Sequence, residues 1–203
     1  MTNQENHQKR CGGALTINDS VKLILGSSSP RRQDILKIVQ LPFELRIPDV
    51  DESQVQLQDP IEKVATLAKL KNDDLQILDK QEVILTADTV VSFNHRIFEK
   101  PNSKTEAFTM LKALSGTVHT VYTGVMLRSM QFESGFVEKT VVEFWPLNDQ
   151  EINSYLESND AYDKAGGYGI QSLGAQFVRK IDGDYYNVMG LPISHILQKL
   201  KAF

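Results

Sequence analysis

Leu23-Ile-Leu-Gly-Ser27-Ser-Ser29-Pro30-Arg31-Arg32 changes character twice within one short stretch. The apolar run from Val21 to Leu25 reads as a buried strand, and it ends in a glycine and three serines. Ser29-Pro30 then opens a helix, because serine is a preferred N-cap and proline at the first helical position loses no hydrogen bond. Two arginines follow in the first helical turn, where cations oppose the helix dipole. They are poor choices for stability alone, although paired arginines on a surface turn are common. Loop amides, the hydroxyls of Ser27 and Ser29, and the forks of Arg31 and Arg32 are together the makings of a phosphate site.

The 203 residues are enough for one domain, or for two small lobes sharing a cleft. Lys and Arg number 22 against 26 Asp and Glu, and the resulting net charge of −4 argues against a general nucleic-acid binder. The one cysteine, Cys11, excludes a disulfide framework and a thiolate metal site, and it fits a reducing, cytoplasmic setting. No apolar run is long enough to cross a bilayer, so no membrane role is expected. Residues 1–20 carry no hydrophobic signal region and are expected to be a leader without fixed structure, with the folded domain over 21–203.

Outward from the opening loop, Ile35, Leu36 and Val39 mark a short amphipathic helix that stops near Leu41-Pro42. Phe43–Ile47 is expected to be a strand leading to the acidic loop Pro48-Asp49-Val50-Asp51-Glu52. Asp59, Pro60 and Glu62 signal a helix with a capping box, whose apolar stripe is Val64, Leu67 and Ala68. Lys71 continues that stripe. Spacing leaves two readings equally open: a lysine snorkelling at the helix end, or an ammonium aimed into a cleft. Val83–Ala87 predicts a central strand delivering Asp88 and Thr89 at or near its C-terminal end, where α/β sheets place their chemistry. Asn94-His95 predicts a hairpin turn. Ser103-x-x-Glu106 starts a helix with Ala107, Met110, Leu111 and Leu114 on one face, ended by Gly116. His119–Leu127 and Phe136–Trp145 read as strands, and Asn148-x-x-Glu151 caps another helix. Asp163-Lys-Ala-Gly-Gly-Tyr-Gly-Ile-Gln171 is a glycine-dense loop that lets backbone approach a ligand, though Gly167 and Gly169 are equally good turn formers. Phe177–Ile181 and Tyr185–Val188 are expected to be closing strands before a C-terminal helix bearing Leu191, Ile193, Ile196, Leu197 and Leu200.

Glu52 in its loop and Asp88 at its strand suit a hard divalent cation, which takes one or two carboxylates and fills its shell with phosphates and water. A carboxylate can also accept the proton of an attacking water. Arg32, Lys71 and Lys100 are candidates to offset developing negative charge. Singly each is weak, because exposed charged residues are usually solvated surface. His7, His95 and His195 lack zinc-ligand spacing, and His119 reads as a strand histidine satisfied by its neighbours. No phosphate-binding Walker loop or dinucleotide fingerprint is present, which disfavours an ATPase or a dehydrogenase.

In order along the chain stand Ser27-Ser-Ser-Pro-Arg-Arg32, Asp51-Glu52, Ala87-Asp88-Thr89-Val-Val, Glu99-Lys100-Pro101 and Leu114-Ser-Gly116-x-x-His119-x-Val-Tyr-Thr-Gly124. Asp163-Lys-Ala-Gly, Tyr168-Gly-Ile-Gln171 and Gly190-Leu-Pro192 follow. This ordered set, from about Leu23 to Leu200, resembles the Maf family of nucleotide pyrophosphatases. The resemblance implies an α/β fold like that of inosine-triphosphate pyrophosphatases: a mixed twisted sheet with flanking helices, and two lobes around a cleft. It implies hydrolysis of a nucleoside triphosphate between its α- and β-phosphates, with Mg²⁺, Mn²⁺ or Co²⁺ as cofactor. Asp88 matches the family's general base and, with Glu52, a metal ligand. Ser27, Arg32, Glu52, Lys71, Lys100 and Gln171 match pocket-lining positions, which favours the cleft for Lys71. Arg31, Thr89 and Gln171 match the branch that resembles dTTP/UTP pyrophosphatases; the 7-methyl-GTP branch tends to carry Trp, Gln and Glu there. The Gln171 amide both donates and accepts, suiting the O4/N3 edge of a pyrimidine. Ser172 and Gln40 depart from the family, which usually has glycine at both, and Ser172 is expected to narrow the loop beside Gln171. The resemblance also allows a homodimer, an inosine/xanthosine triphosphatase activity of the related fold, or a non-catalytic part in septum formation through a protein partner.

Overall fold

A computed structural model describes residues 21–203; the expected leader, with Cys11 and His7, lies outside the described residues. The elements are β1 (Lys22–Leu25), α1 (Pro30–Ile38), β2 (Glu44–Leu45), α2 (Pro60–Asp74), β3 (Glu82–Phe93), β4 (Arg96–Phe98) and α3 (Lys104–Leu114). They continue with β5 (Val118–Arg128), β6 (Glu133–Phe144), α4 (Asp149–Leu156), β7 (Val178–Asp182), α5 (Tyr185–Met189) and α6 (Ile193–Leu200). The sheet runs β2-β1-β3-β5-β6-β7, with β4 paired to β3. β2, β1 and β3 are mutually parallel, and every other pairing is antiparallel. This is the mixed α/β sheet with flanking helices that the sequence predicts.

Two apolar cores lie along the sheet. One joins Leu25 and Leu85 to Ile35 of α1 and to Ile196 and Leu200 of α6. The other joins Val91 and Val121 to Leu111 and Leu114 of α3 and Ile152 of α4. Burying apolar surface on two separate helix groups produces two lobes on one sheet, and the space between them is the cleft. α2 carries Val64, Leu67 and Ala68 on its buried face, as its spacing predicts, and Lys71 lies there too, which spacing left open. Gly124 of β5 approaches Val64 so closely that no Cβ fits there. No helix among the described residues is long and apolar enough to cross a membrane.

Five local expectations are corrected. β2 is Glu44–Leu45, shorter than Phe43–Ile47, since it pairs only with Ile24 and Leu25 at the end of β1. β3 runs on to Phe93, so Asp88 and Thr89 lie mid-strand and not at its end. The strand continues because β5 pairs with it from Ile84 to Ser92, sustaining the ladder after β1 has stopped. Tyr185–Val188 lies in a helix: Asp184 accepts the Tyr186 N–H as N-cap, and Gly190 closes the turn at φ 104°. Ser29 holds the N-cap position of α1 with Pro30 at N1, yet its side chain caps nothing. Asp59 accepts from the N–H groups of Ile61 and Glu62 without the reciprocal bond of a capping box, which forms in full at Asn148 and Glu151.

Candidate active site

β1 stops pairing with β3 at Leu25↔Leu85, and β4 starts at Val91↔Phe98. Between those points the β3 edge has no strand beside it, and the cleft opens there. Successive strand side chains point to opposite faces, yet at an uncovered edge both faces border the same space. So Asp88 meets Lys71 of α2 while its neighbour Thr89 meets Arg32 of α1.

The loop after β1 turns into the cleft because Gly26 lets it pass flat against β3. A Cβ there would stand 2.5 Å from Thr86 Cγ2 and 2.7 Å from Leu75 Cδ1, so only glycine fits. The buried Ser27 hydroxyl accepts from the Ser29 N–H at 3.2 Å and from Arg32 Nη1 at 3.2 Å. Arg32 also donates from Nε to the Gly190 carbonyl at 2.8 Å and from Nη2 to Thr89 Oγ1 at 3.2 Å. Its three partners are neutral oxygens. Burial pushes its pKa down, opposed chiefly by the charge of Asp88. Thr89 and Thr123 hydroxyls lie 2.9 Å apart, and Thr123 donates to the Asn187 carbonyl. Thr123 has one proton, so Thr89 donates its own to Thr123 and is left as an acceptor for Arg32. Thr89 thus orients a guanidinium.

Lys71 Nζ donates to Asp88 Oδ1 at 2.6 Å and pairs with Glu52 Oε1 at 3.0 Å. Lys71 and Asp88 are both buried, whereas the Glu52 side chain is half exposed on its loop. Asp88 Oδ2 accepts no hydrogen bond among the described residues. Lys100 borders both hollows of the cleft and has no ion pair among the described residues, while its neighbour Glu99 pairs with Lys63 at 2.9 Å. No three His, Cys, Asp or Glu side chains gather as metal ligands among the described residues. A divalent ion would have to be held by Glu52 and Asp88 with other oxygens from phosphate and water, a donor set that suits Mg²⁺.

The cleft has two adjoining hollows, which share Ser29, Arg31, Arg32, Lys71, Lys100 and Asp163. The first extends past Thr89 to Val121, Tyr168, Gln171 and Met189, and is the more apolar end. The second extends past Ser27 and Ser28 to Val50 and Glu52. Ser27, Ser29, Arg31, Arg32, Glu52, Lys71, Asp88, Thr89, Lys100 and Gln171 therefore all border one cleft.

Sequence reasoning missed the partner of Arg31, which grips Asp163 twice: Nη1 meets the carboxylate and Nη2 the carbonyl, the latter at 2.8 Å. A charged Asp-Lys pair opening a glycine-dense loop was the available signal. Burial works against ionisation of Asp163, but its bond from Lys164 and the charge of Arg31 outweigh it and hold its carboxyl below the ordinary range. His119 is buried against Tyr168, with Nε2 2.8 Å from the tyrosine hydroxyl. Contrary to expectation it is only half satisfied, since its Nδ1 has no partner among the described residues.

The Maf-like protein family matches residues 22–203. A dTTP/UTP pyrophosphatase of Carboxydothermus hydrogenoformans is 45% identical over 185 residues, covering 90% of this chain and 99% of that protein. A protein of the same name from Bacillus cereus (strain AH187) is 42% identical over 182 residues, covering 90% and 95%. Another from Bacillus cytotoxicus is 43% identical over the same span and shares. The likeness thus extends across both lobes and every loop that reaches the cleft, and the chain belongs to the Maf family.

Proposed function

We propose that this protein hydrolyses dTTP and UTP between the α- and β-phosphates, releasing the monophosphate and pyrophosphate. The observation that carries this is Asp88: a buried carboxylate at the uncovered edge of β3 that lines the cleft, with Oδ1 bound to Lys71 at 2.6 Å and Oδ2 without a hydrogen bond among the described residues. Oδ2 accepts a proton from water as the water oxygen bonds to the α-phosphorus. The bond from that phosphorus to the bridging oxygen breaks, and pyrophosphate leaves. Arg32 and Lys100 offset the growing charge on the leaving group, with the open Ser29 hydroxyl and loop amides beside them. Lys71 holds Oδ1 and so aims Oδ2. Glu52 and Asp88 are the residues that would hold a divalent cation, which would supply polarisation of the phosphate oxygens.

The base occupies the more apolar hollow, where Gln171 reads its edge, and Arg31 stands where the two hollows meet. The names of the three relatives support the pyrimidine choice, as does the match of Arg31, Thr89 and Gln171 to the branch that the sequence resembles. A cytoplasmic setting fits one cysteine in 203 residues. The test is pyrophosphate release across canonical and modified triphosphates with Mg²⁺, Mn²⁺ or Co²⁺, repeated after chelation. Release from dTTP and UTP in preference to purine triphosphates, lost on chelation and restored by added metal, is the expected result. Preference for ITP or XTP would reassign the substrate, and release from none would leave a non-catalytic role.

A further inference from the structure

Lys164 borders the base hollow but has nothing left to give a ligand. Its three ammonium protons meet the Asp160 carbonyl at 2.5 Å, Asp160 Oδ1 at 3.0 Å and Asp163 Oδ1 at 2.6 Å. Asp160 is the hub of this group. Its Oδ2 accepts from the Ser172 hydroxyl at 2.7 Å and from Tyr155 of α4 at 3.1 Å. The side chain of Asp160 is 18% exposed. Burial opposes its ionisation, and the bonds from Ser172, Lys164 and Tyr155 overcome that and keep it charged. Asp163, held by Lys164, in turn holds Arg31.

The other end of the chain of bonds reaches Gln171. The Ser172 N–H closes a tight turn onto the Gly169 carbonyl at 3.3 Å, and Gln171 rides on that turn. Gly169 is pinched between the two tethers. A Cβ there would meet Ser172 Oγ at 2.5 Å and Lys164 Cε at 2.6 Å. The Ser172 hydroxyl has one proton, and the 2.7 Å contact with a carboxylate outranks its 3.2 Å approach to the Gly169 carbonyl. A glycine at 172, usual among the proteins this chain resembles, has no such tether.

We infer that Asp160 and Ser172 are positioning residues for substrate choice, forming a hydroxyl-to-carboxylate tie that holds Gln171 in register with Arg31 across the base hollow. The inference rests on the proposed pyrimidine triphosphate pyrophosphatase activity and adds to it a residue pair that touches neither phosphate nor metal. Flexible amides read either edge of a base, because an amide rotated by half a turn exchanges donor for acceptor. A tied turn fixes the backbone from which Gln171 reaches into the hollow and so narrows the positions from which its amide can meet a base. Thymine and cytosine differ at that edge, so dTTP against dCTP is the sensitive comparison.

The experiment measures kcat and KM for dTTP and dCTP with Mg²⁺ in the full chain and in S172A, S172G, D160N and the double variant S172A/D160N, with thermal melting alongside. In S172A and S172G the ratio of kcat/KM for dTTP over dCTP is expected to fall by about three- to tenfold, toward the lower end of what coupled contacts contribute. The fall should appear in KM, with kcat for dTTP within about twofold, because Asp88 and Lys71 are untouched. The double variant is expected to select no worse than D160N alone, since the two side chains act through one bond. An unchanged ratio in both serine variants overturns the inference, as does additive loss in the double variant. Should D160N fail to fold, the two serine variants decide alone. Wild-type protein that releases no pyrophosphate from any triphosphate overturns the activity itself and this inference with it; active wild type with an unchanged ratio in both serine variants overturns the inference only.

Discussion

Lys71 Nζ is shared by Asp88 and Glu52, so one ammonium separates two carboxylates that would repel each other on closer approach. Asp88→Asn keeps the shape and the bond to Lys71 but removes the proton acceptor. Its kcat is expected to fall by about 10²–10⁴-fold, the usual share of a general base, while KM for dTTP changes little. Near-normal steady-state kcat in that variant would remove Asp88 from the role. Thr89 calls for a paired test because it acts through Arg32. Thr89→Val leaves a buried guanidinium N–H unpaired, costing about 1.5–3 kcal/mol, and is expected to raise KM for dTTP by about tenfold or more. Thr89→Ser keeps the acceptor and should stay close to wild type. Equal KM values for the two variants would show that the hydroxyl is not what orients Arg32. Of these residues, the sequence singled out Asp88, Thr89 and Arg32 through the motifs that carry them. That the hydroxyl of Thr89 donates to Thr123, 34 positions away, depends on a strand pairing that no local pattern states.

Helix termini and turns were the most legible elements, because their signals are local. Asn148, Asp59 and Pro30 stand at the starts their chemistry demands, and Asn94 and His95 take left-handed φ values of 48° and 60° at the hairpin. Gln40 occupies a turn position that favours glycine. The Leu41 N–H bonds back to the Leu36 carbonyl at 3.0 Å, closing the end of α1, and this forces Gln40 to φ 55°. A residue with a Cβ is strained there by about 1 kcal/mol or more. Gln40→Gly is therefore expected to raise the stability of the chain by about 1 kcal/mol in denaturant unfolding, with pyrophosphate release unchanged. A lower midpoint would mean that the Gln40 side chain contributes more than its backbone strain costs. α5 was misread because Tyr185-Tyr186-Asn187-Val188 has strand-like residues, and in so short a segment Asp184 and Gly190 decide the outcome from outside it.

At the scale of the molecule the two lobes depend on one long sheet, and His119 sits where β5 enters the second core, edge-on to Phe144 and Tyr168. Burial pushes its pKa down from 6.5 to about 3. The fold thus holds His119 neutral, whereas the unfolded chain takes up a proton as pH falls through 6.5. Its contribution is complete above pH 6.5 and is lost progressively down to about pH 3, at up to about 1.4 kcal/mol per pH unit. Urea unfolding between about pH 7 and 4 should show that decline, and His119→Phe should flatten it; an unchanged slope would mean that other groups carry the acid sensitivity. The sequence by itself determined where most helices and strands lie and the apolar stripe Val64, Leu67 and Ala68 of α2, since periodicity and capping residues are properties of short stretches. Tertiary structure alone decided that Lys71 faces inward, which spacing left open. It also decided that Asp88 lies mid-strand at an edge uncovered between β1 and β4, and that Asp163 binds Arg31 from 132 positions away. Those outcomes turn on where strands stop pairing and which distant charges then meet, and side-chain chemistry along the chain carries no record of either.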